Sequence, residues 1–358
     1  MAGATEGANK GMSNTSAGTA PGRHALDLGN LAQYMRGHVP GFSGTLEAEL
    51  LKGGQSNPTF LLKAGGERYV LRRKPLGKLL PSAHAVDREY RIITALRDTD
   101  VPVPRTYALC EDDSAIGSAF YIMAYVDGRV LWDPSLPGMS PRERAAVFSE
   151  MNRVIAAIHL VDYKAIGLED YGRPGGYFER QIGRWSKQYR ASETGRNEDM
   201  EKLMVWLAAS VPAQERTSIV HGDYRLDNMI LHPTEQRVAA VLDWELATLG
   251  EPLADFTHLL MNWFNGGVAT VKDLMAHGIP TADEYVAEYC RLTNRAGLPD
   301  LNWYFAYSSF RLAAILQGIA GRVRDGTANS PLASAQSGRV PGLAAAAVDF
   351  ARKAGADF

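Results

Sequence analysis

The sequence predicts an α+β fold built in two parts, a small antiparallel sheet with one helix followed by a larger, mainly helical part. Three observations predict it. Strand-like runs separated by glycine pairs occupy much of the first third of the chain, helical periodicity begins after Asp127-Gly128, and a short β insert interrupts the helices at 218–243. A chain of 358 residues can bury two modest cores, so we expect two lobes around a cleft, an N-terminal lobe at 24–126 and a C-terminal lobe at 127–358.

The strands of the N-terminal lobe are short runs with strand-like composition, and Gly53-Gly54 and Gly65-Gly66 separate the first three, as in an antiparallel meander. The five predicted strands are Thr45 to Leu51, Thr59 to Lys63, Arg68 to Arg72, Arg105 to Cys110 and Ala119 to Val126. A helix is predicted from Ala85 to Arg97, between the third and fourth strands, because its apolar residues fall on one helical face.

The remaining predicted helices have apolar residues three and four positions apart. Ser140-Pro141-Arg142-Glu143 is a capping-box start with proline at the first helical position, and its helix reaches His159. The others are Leu26 to Gly41, Tyr177 to Tyr189, Asn197 to Ala209, Ala254 to Phe264, Ala282 to Ala296, Trp303 to Val323 and Gly342 to Lys353.

Composition argues against several kinds of partner. The net charge is −2 with both signs mixed, which does not suit a nucleic acid held on a basic face. Cys110 and Cys290 have no paired or metal-ligand spacing, which fits a reducing cytoplasm. No run approaches the roughly 20 apolar residues that cross a bilayer, and the Gly/Ala/Ser/Thr-rich residues 1–23 are predicted to be a disordered leader. We expect a cytoplasmic protein with no nucleic-acid or membrane partner, and the oligomeric state stays open.

Two sequence blocks carry the chemistry, and each is an apolar strand-like run that ends at an acidic group. The first runs from Ile219 through His221-Gly222-Asp223 to Asn228, and the second is Val238 to Leu242 followed by Asp243-Trp244-Glu245. Phosphoryl transfer needs one carboxylate near the attacking hydroxyl, and a second carboxylate with an amide oxygen on the magnesium. Asp223 is therefore predicted to be the catalytic base, and Asn228 and Asp243 to be Mg²⁺ ligands.

These blocks resemble the catalytic segments of the aminoglycoside phosphotransferase and choline kinase group, and most closely the phosphotransferase domains fused to acyl-CoA dehydrogenases in animals. The Asp-to-Asn spacing matches the protein-kinase H-R-D-x-x-x-x-N loop, Asp243 stands where the D-F-G aspartate would, and Gly250-Glu251-Pro252-Leu253-Ala254-Asp255 is typical of the subgroup. The resemblance runs from about Leu28 to the C-terminus. It implies a bilobal protein-kinase-like fold and a Mg²⁺-dependent small-molecule kinase that uses ATP or GTP.

The nucleotide is expected to bind the N-terminal lobe. Gly54, Gln55, Ser56 and Asn57 lie in a glycine-rich hairpin whose backbone N–H groups can approach phosphates, although the segment alone is only a turn. The next predicted strand carries Arg72 where protein kinases have a phosphate-binding Lys, a departure that choline-kinase-like members share, and Arg can serve as a bidentate cation.

Three further residues complete the predicted nucleotide site. Glu89, on the helix from Ala85, is the expected partner of Arg72, although a solvent-facing Glu is the commoner fate on a helix. The segment after Tyr121 is predicted to join the lobes, and the resemblance implies that the carbonyl of Ala124 and the N–H of Val126 read adenine.

Other polar residues near the blocks are assigned structural roles. His221 is expected to support its loop by hydrogen bonds, and Asp255 either caps the helix from Phe256 or holds the catalytic loop. The role of Glu245 stays open between a metal or substrate contact and a surface ion pair. His258 has no ligand spacing and is interpreted as ordinary.

The acceptor is predicted to be a hydroxyl of a small molecule. From Glu251 to Phe358 there are ten Asp/Glu and nine Lys/Arg, so the acidic excess that suits a cationic aminoglycoside is missing. Aromatic residues beside Arg311, Gln317 and Arg322 are expected mainly in the core. Some of them are expected to line an apolar pocket with an anion clamp, and such a pocket would suit a hydroxyacyl compound. An aminoglycoside-modifying kinase and a nucleotide-binding pseudoenzyme or regulatory module are the alternatives.

Overall fold

The computed structural model describes residues 25–51, 57–76, 85–264, 267–326 and 333–358. The chain divides into two compact units. The first contains the chain up to Asp87 together with Thr106–Tyr125, and the second contains Arg88–Arg105 and Val126–Phe358. The predicted leader at 1–23 and the residues Gly54, Gln55 and Ser56 lie outside the described residues.

The first unit holds a five-stranded antiparallel sheet, and each strand was predicted from the sequence. Its strands are β1 (Glu47–Leu50), β2 (Thr59–Ala64), β3 (Glu67–Arg73), β4 (Thr106–Cys110) and β5 (Phe120–Ala124). Their order in space is β1-β2-β3-β5-β4, so the sheet is a meander only over its first three strands. Helix α2 (Val86–Leu96) interrupts the chain after β3, and β5 rather than β4 then pairs with β3.

One face of this sheet packs against helix α1 (Leu28–His38). The helix begins at a side-chain cap, since the N–H of Asn30 donates to Asp27, and it buries Leu31 and Met35. Alternate residues of the central strands point into the same core, among them Leu62, Leu71, Phe120 and Ile122. Strand alternation also explains why Arg73 is fully buried next to the half-buried Arg72.

The second unit is mainly helical. Its helices are α3 (Pro141–Leu160), α4 (Tyr177–Ala191), α5 (Glu198–Ala209), α6 (Leu253–Leu260), α7 (Ala282–Leu292), α8 (Asn302–Arg324), α9 (Ala333–Ser337) and α10 (Val340–Lys353). Apart from α9, which was not predicted, they begin and end close to the predicted positions. The capping box at Ser140 and Glu143 forms as the sequence predicts, and Thr281 with Glu284 forms a second one at α7. Helix α8 is buried along most of its length and packs against α4, α6 and α10.

Two short strand pairs interrupt the helices of this unit and carry both sequence blocks. β6 (Ser218–Val220) pairs with β9 (Thr248–Gly250), and β7 (Met229–Leu231) pairs with β8 (Val238–Val241). The loop with Asp223 therefore joins β6 to β7, and Asp243 follows β8. β9 was not predicted, because a strand of three residues has no periodicity to detect.

No helix in the described ranges combines the length and apolar character needed to cross a membrane. The cytoplasmic location stays a prediction.

Candidate active site

The loop before Asp223 is fixed through the backbone of Gly222. This residue has φ +87°, and a Cβ built on it would lie 2.9 Å from Cβ and the carbonyl oxygen of Leu246, so the position requires glycine. Its N–H donates to Oδ1 of Asp255 at 2.8 Å, and its carbonyl accepts from the Arg311 guanidinium. The other oxygen of Asp255 accepts from the N–H of His221. The loop is thus held from α6 and from α8.

His221 connects the two sequence blocks. Its Nε2 lies 2.9 Å from the carbonyl oxygen of Leu242, and the N–H of Asp223 donates to its Nδ1 at 3.2 Å. The ring thus accepts at Nδ1 and donates at Nε2, so these two partners place a proton on Nε2. The imidazole is fully buried and acts as a structural brace, as expected from the sequence.

The Asp223 carboxylate has neighbours on both oxygens. Oδ2 accepts from Nδ2 of Asn228 at 2.9 Å and lies 3.3 Å from Nε of Arg225, whereas Oδ1 lies 3.4 Å from Nε2 of His258. Burial raises the pKa of Asp223, but the neighbouring His258 and Arg225 outweigh it and hold the pKa well below its usual range. The group is ionised at neutral pH, so it can accept a hydrogen bond from a hydroxyl.

Asn228 is oriented by the same aspartate. Its Nδ2 donates to the backbone carbonyl of Asp223 at 2.8 Å as well as to the carboxylate, so the amide oxygen is the atom left to face a cation. The N–H of Leu242 donates to the Asn228 carbonyl at 2.8 Å, and the β7–β8 pairing sets Met229 opposite Val241. Asn228 and Asp243 therefore flank adjacent ends of one strand pair.

Asp243 occupies a left-handed conformation, with φ 63° and ψ 54°. This is uncommon for a residue with a side chain, although Asp tolerates it better than most, and it is a feature often found at functional sites. The next residue anchors the turn, because Trp244 is buried, donates its indole N–H to the carbonyl of Val241 at 3.0 Å and packs beside the His221 ring at 4.6 Å between centroids.

A third carboxylate, Asp227, belongs to this cluster and was missed from the sequence. Burial raises the pKa of Asp227, Arg225 opposes the rise, and the charges of Asp223 and Asp243 add to it. Three carboxylates within electrostatic range of one another, beside an amide oxygen, form the hard oxygen donor set that Mg²⁺ prefers. Within the described residues, no three His, Cys, Asp or Glu side chains form a preassembled metal cage. Mg²⁺ does not require one, since it is commonly held by one or two carboxylates and by substrate phosphates.

The residues predicted for nucleotide binding are placed as follows. Asn57 is fully buried, and its carbonyl accepts from Thr59 Oγ1 at 3.1 Å. Arg72 lies in β3 opposite Thr59 and Tyr121. Ala124 is the last residue of β5, and Val126, two residues later, begins the longer segment of the second unit.

Glu89 lies on α2 in the second unit and is 1% exposed, so the solvent-facing alternative considered for it is wrong. Glu245 is exposed. The roles predicted for these residues stay predictions.

The structure distinguishes the two roles considered for Asp255. Helix α6 already begins at Leu253, so Asp255 lies inside its first turn and is not the cap, and its carboxylate holds the loop instead. Burial raises the pKa of Asp255, but the nearby His159, whose Nε2 lies 3.7 Å from Oδ2, and the hydrogen bond from the Gly222 N–H outweigh this and hold the pKa below its usual range. Nδ1 of His159 lies 2.7 Å from the Tyr289 hydroxyl, and burial lowers the pKa of His159, so its ring is neutral.

Two of the side chains predicted for an anion clamp make contacts within the second unit instead. Arg311 is buried, contacts Gly222 and lies over the Trp185 ring at 5.6 Å. Gln317 donates to the Ser192 carbonyl at 2.8 Å and to Thr194 Oγ1 at 3.0 Å. The neighbouring aromatic residues Trp263, Trp303, Tyr304, Tyr307 and Phe310 are buried as core residues. Sequence periodicity could not distinguish a core residue from a pocket-lining residue, because both roles place the side chain on the inner face of α8.

The family model described as "Phosphotransferase enzyme family" matches residues 47–304. The chain belongs to this family. Membership supports a phosphotransferase that acts on small molecules, and the match spans the sheet of the first unit and both sequence blocks of the second.

The curated relatives of this phosphotransferase chain are much longer proteins. It is 44% identical to mouse acyl-CoA dehydrogenase family member 10, over 92% of this chain and 32% of the relative. It is 39% identical to rat acyl-CoA dehydrogenase family member 11, over 92% of this chain and 44% of the relative. The chain thus spans less than half the length of these relatives, and the predicted resemblance to phosphotransferase domains fused to acyl-CoA dehydrogenases is confirmed.

Solved structures confirm the kinase-like fold class. A crystal structure from Ralstonia eutropha JMP134, provisionally named an aminoglycoside phosphotransferase, is 54% identical, with a TM-score of 0.84 over 92% of this chain and 99% of that one. A thermostable mutant of aminoglycoside phosphotransferase APH(4)-Ia, in ternary complex with AMP-PNP and hygromycin B, is 17% identical, with a TM-score of 0.59 over 91% of this chain and 100% of that one. At that identity the likeness shows the fold alone.

Proposed function

We propose that this chain transfers the terminal phosphate of ATP or GTP, with Mg²⁺, to a hydroxyl of a small molecule. One observation carries the proposal. Asp223 is ionised, and Asn228 holds its carboxylate while presenting an amide oxygen at the strand pair that also leads to Asp243. A base, an amide oxygen and a second carboxylate in one rigid arrangement are what phosphoryl transfer requires.

Each residue of the second unit then has a defined task. Asp223 accepts a hydrogen bond from the acceptor hydroxyl, orients it for attack and takes its proton late in the transfer. The amide oxygen of Asn228 and the carboxylate of Asp243 would hold Mg²⁺, which when bound neutralises charge on the nucleotide phosphates. The hydrogen bonds from Asp255 and Arg311 keep Gly222 fixed, so the base is positioned before substrate binds.

The nucleotide is proposed to bind the residues that the sequence predicts for it. Arg72 would contact phosphate oxygens through its planar guanidinium, and Gly54, Gln55, Ser56 and Asn57 would direct backbone N–H groups at the phosphates. Ala124 and Val126 would contact the base through their backbone groups, and Glu89 would support Arg72. The solved relative in complex with AMP-PNP supports a nucleotide as donor.

The acceptor that we favour is a hydroxylated acyl compound. The long relatives are named as acyl-CoA dehydrogenases, which makes an acyl-chain substrate the coherent choice for a phosphotransferase region of the same polypeptide. The balance of ten Asp/Glu against nine Lys/Arg from Glu251 to Phe358 also lacks the acidic excess that would suit a cationic aminoglycoside.

The test is a transfer assay with ATP or GTP, Mg²⁺ and a panel of hydroxyacyl-CoA thioesters, hydroxy acids, amino alcohols and aminoglycosides. We expect nucleotide consumption with hydroxyacyl acceptors and its loss in Asp223→Asn. Equal activity of the two proteins would remove Asp223 from the mechanism, and turnover only with aminoglycosides would contradict the acyl acceptor. Nucleotide binding in calorimetry without any turnover would indicate a regulatory module instead of an enzyme.

A further inference from the structure

We propose that His258 is a positioning residue of the transfer, which keeps Oδ1 of Asp223 directed at the acceptor hydroxyl. The inference rests on the function proposed above and names a residue whose spacing gave no signal in the sequence. Nε2 of His258 lies 3.4 Å from Oδ1. Both side chains are partly exposed, 16% for His258 and 30% for Asp223, so the contact lies where a substrate can reach it.

The two oxygens of Asp223 are not equivalent. Oδ2 accepts from Asn228 and faces Nε of Arg225, so its lone pairs are occupied from within the loop. Among the described residues, the contact to Oδ1 comes from His258. Oδ1 is therefore the oxygen with capacity left for a hydroxyl donor, and His258 is the side chain that determines where this oxygen points.

Helix α6 gives this contact its rigidity. Asp255 and His258 are three residues apart and so lie on the same side of the helix. The first holds the backbone of His221 and Gly222, and the second reaches the side chain of the next residue, Asp223. One helix thus fixes both the main chain and the reactive carboxylate of the loop.

The contact is longer than a good N–H···O hydrogen bond, and such contacts in catalytic sites often shorten only when substrate binds. In the transfer, the acceptor oxygen forms a bond to the terminal phosphorus as the bond to the leaving nucleoside diphosphate breaks, and the hydroxyl proton passes to Oδ1. His258 exchanges no proton in this step. It prevents the carboxylate from rotating about its Cβ–Cγ bond, which would exchange the two oxygens.

The experiment compares His258→Ala, His258→Phe and His258→Gln with the wild type, using ATP and Mg²⁺ with water and with the best hydroxyl acceptor. Loss of positioning should lower kcat about 10- to 100-fold in His258→Ala and His258→Phe, with the KM for ATP changed less than about twofold. His258→Gln should recover much of the loss, since its amide N–H can reach the place of Nε2. His277→Ala, which removes an exposed histidine, is the matched control and should leave kcat unchanged.

Three results would overturn the inference. The first is a kcat within about twofold of wild type in His258→Ala. The second is an equal loss of kcat in the Ala, Phe and Gln variants together with a lowered melting temperature. The third is a wild type that turns over nucleotide no faster than Asp223→Asn with every acceptor. That result also removes the proposed function, whereas the first two leave it standing.

Discussion

Nε2 of His221 donates to the carbonyl oxygen of Leu242 at 2.9 Å, and this contact joins the loop of the base to the strand that delivers Asp243. The two residues are 21 positions apart and belong to different sequence blocks. Their contact means that any displacement of the catalytic loop also displaces the proposed Mg²⁺ ligand. His221 therefore has a structural role, because the proton on its Nε2 is used in a hydrogen bond between the two blocks.

The first prediction concerns this brace. His221→Ala leaves the Leu242 carbonyl and the Asp223 N–H without their partner in a buried place, and we expect a loss of about 1–3 kcal/mol in the free energy of unfolding. Transfer activity should fall with it, because both blocks lose their common support. Urea unfolding and a transfer assay measure the two effects. His221→Gln, which keeps an N–H donor, should be intermediate, and a variant as stable and active as the wild type would show that the contact is dispensable.

The second prediction concerns Asp255. An asparagine there keeps one acceptor oxygen and directs an amide group at the second backbone N–H, so we expect Asp255→Asn to lose about 1–3 kcal/mol of unfolding free energy. Activity should fall further than stability alone explains, since the loop of Asp223 is released. Asp349→Asn is the control, because Asp349 is 70% exposed and its pair with Arg352 lies at the surface. Equal stability of the two variants would contradict the role of Asp255.

A third prediction follows from the neutral, buried His159. Burial lowers the pKa of its ring below that of the unfolded chain, so below about pH 6.5 the unfolded state takes up a proton that the folded state does not. Stability should therefore fall as the pH falls from 7 to 5, by up to about 1.4 kcal/mol per pH unit from this residue. Urea unfolding at pH 7, 6 and 5 measures the slope, and His159→Gln should flatten it. An unchanged slope would mean that His159 takes up its proton equally in the folded and unfolded chains.

Glycine geometry provides the fourth prediction, with a control inside the same unit. Gly222→Ala places a Cβ 2.9 Å from Leu246 at a φ of +87°, so we expect a loss of about 1–3 kcal/mol and of most activity. Gly183→Ala lies within helix α4, where a Cβ meets no atom within 4 Å, and should be neutral or stabilising by up to about 1 kcal/mol. Thermal unfolding of both variants tests the pair, and a Gly222→Ala protein that melts with the wild type would refute the strain argument.

Much of the fold could be predicted because its signals are local. Strand-like composition between turn residues gave the five strands of the first unit, a period of 3.6 residues gave most helices of the second, and the capping residues at Ser140 and Glu143 indicated where α3 begins. The pairing of β3 with β5 was not predictable in the same way, since it depends on where α2 returns the chain. Strand β9 was missed because it is held by its partner β6 and by no pattern of its own.

The sequence by itself determined which groups could perform the chemistry, since an aspartate, an asparagine and a second aspartate at this spacing on short strands have few other uses together. Only the tertiary structure decided what holds them. Asp255, His258 and Arg311 come from helices that are 32 to 88 residues further along the chain than Asp223, and their spacing from it has no period that a sequence could show. Local periodicity determines where helices and strands form. Contacts between distant helices and strands depend on how the whole unit packs, and the position of the catalytic base depends on such contacts.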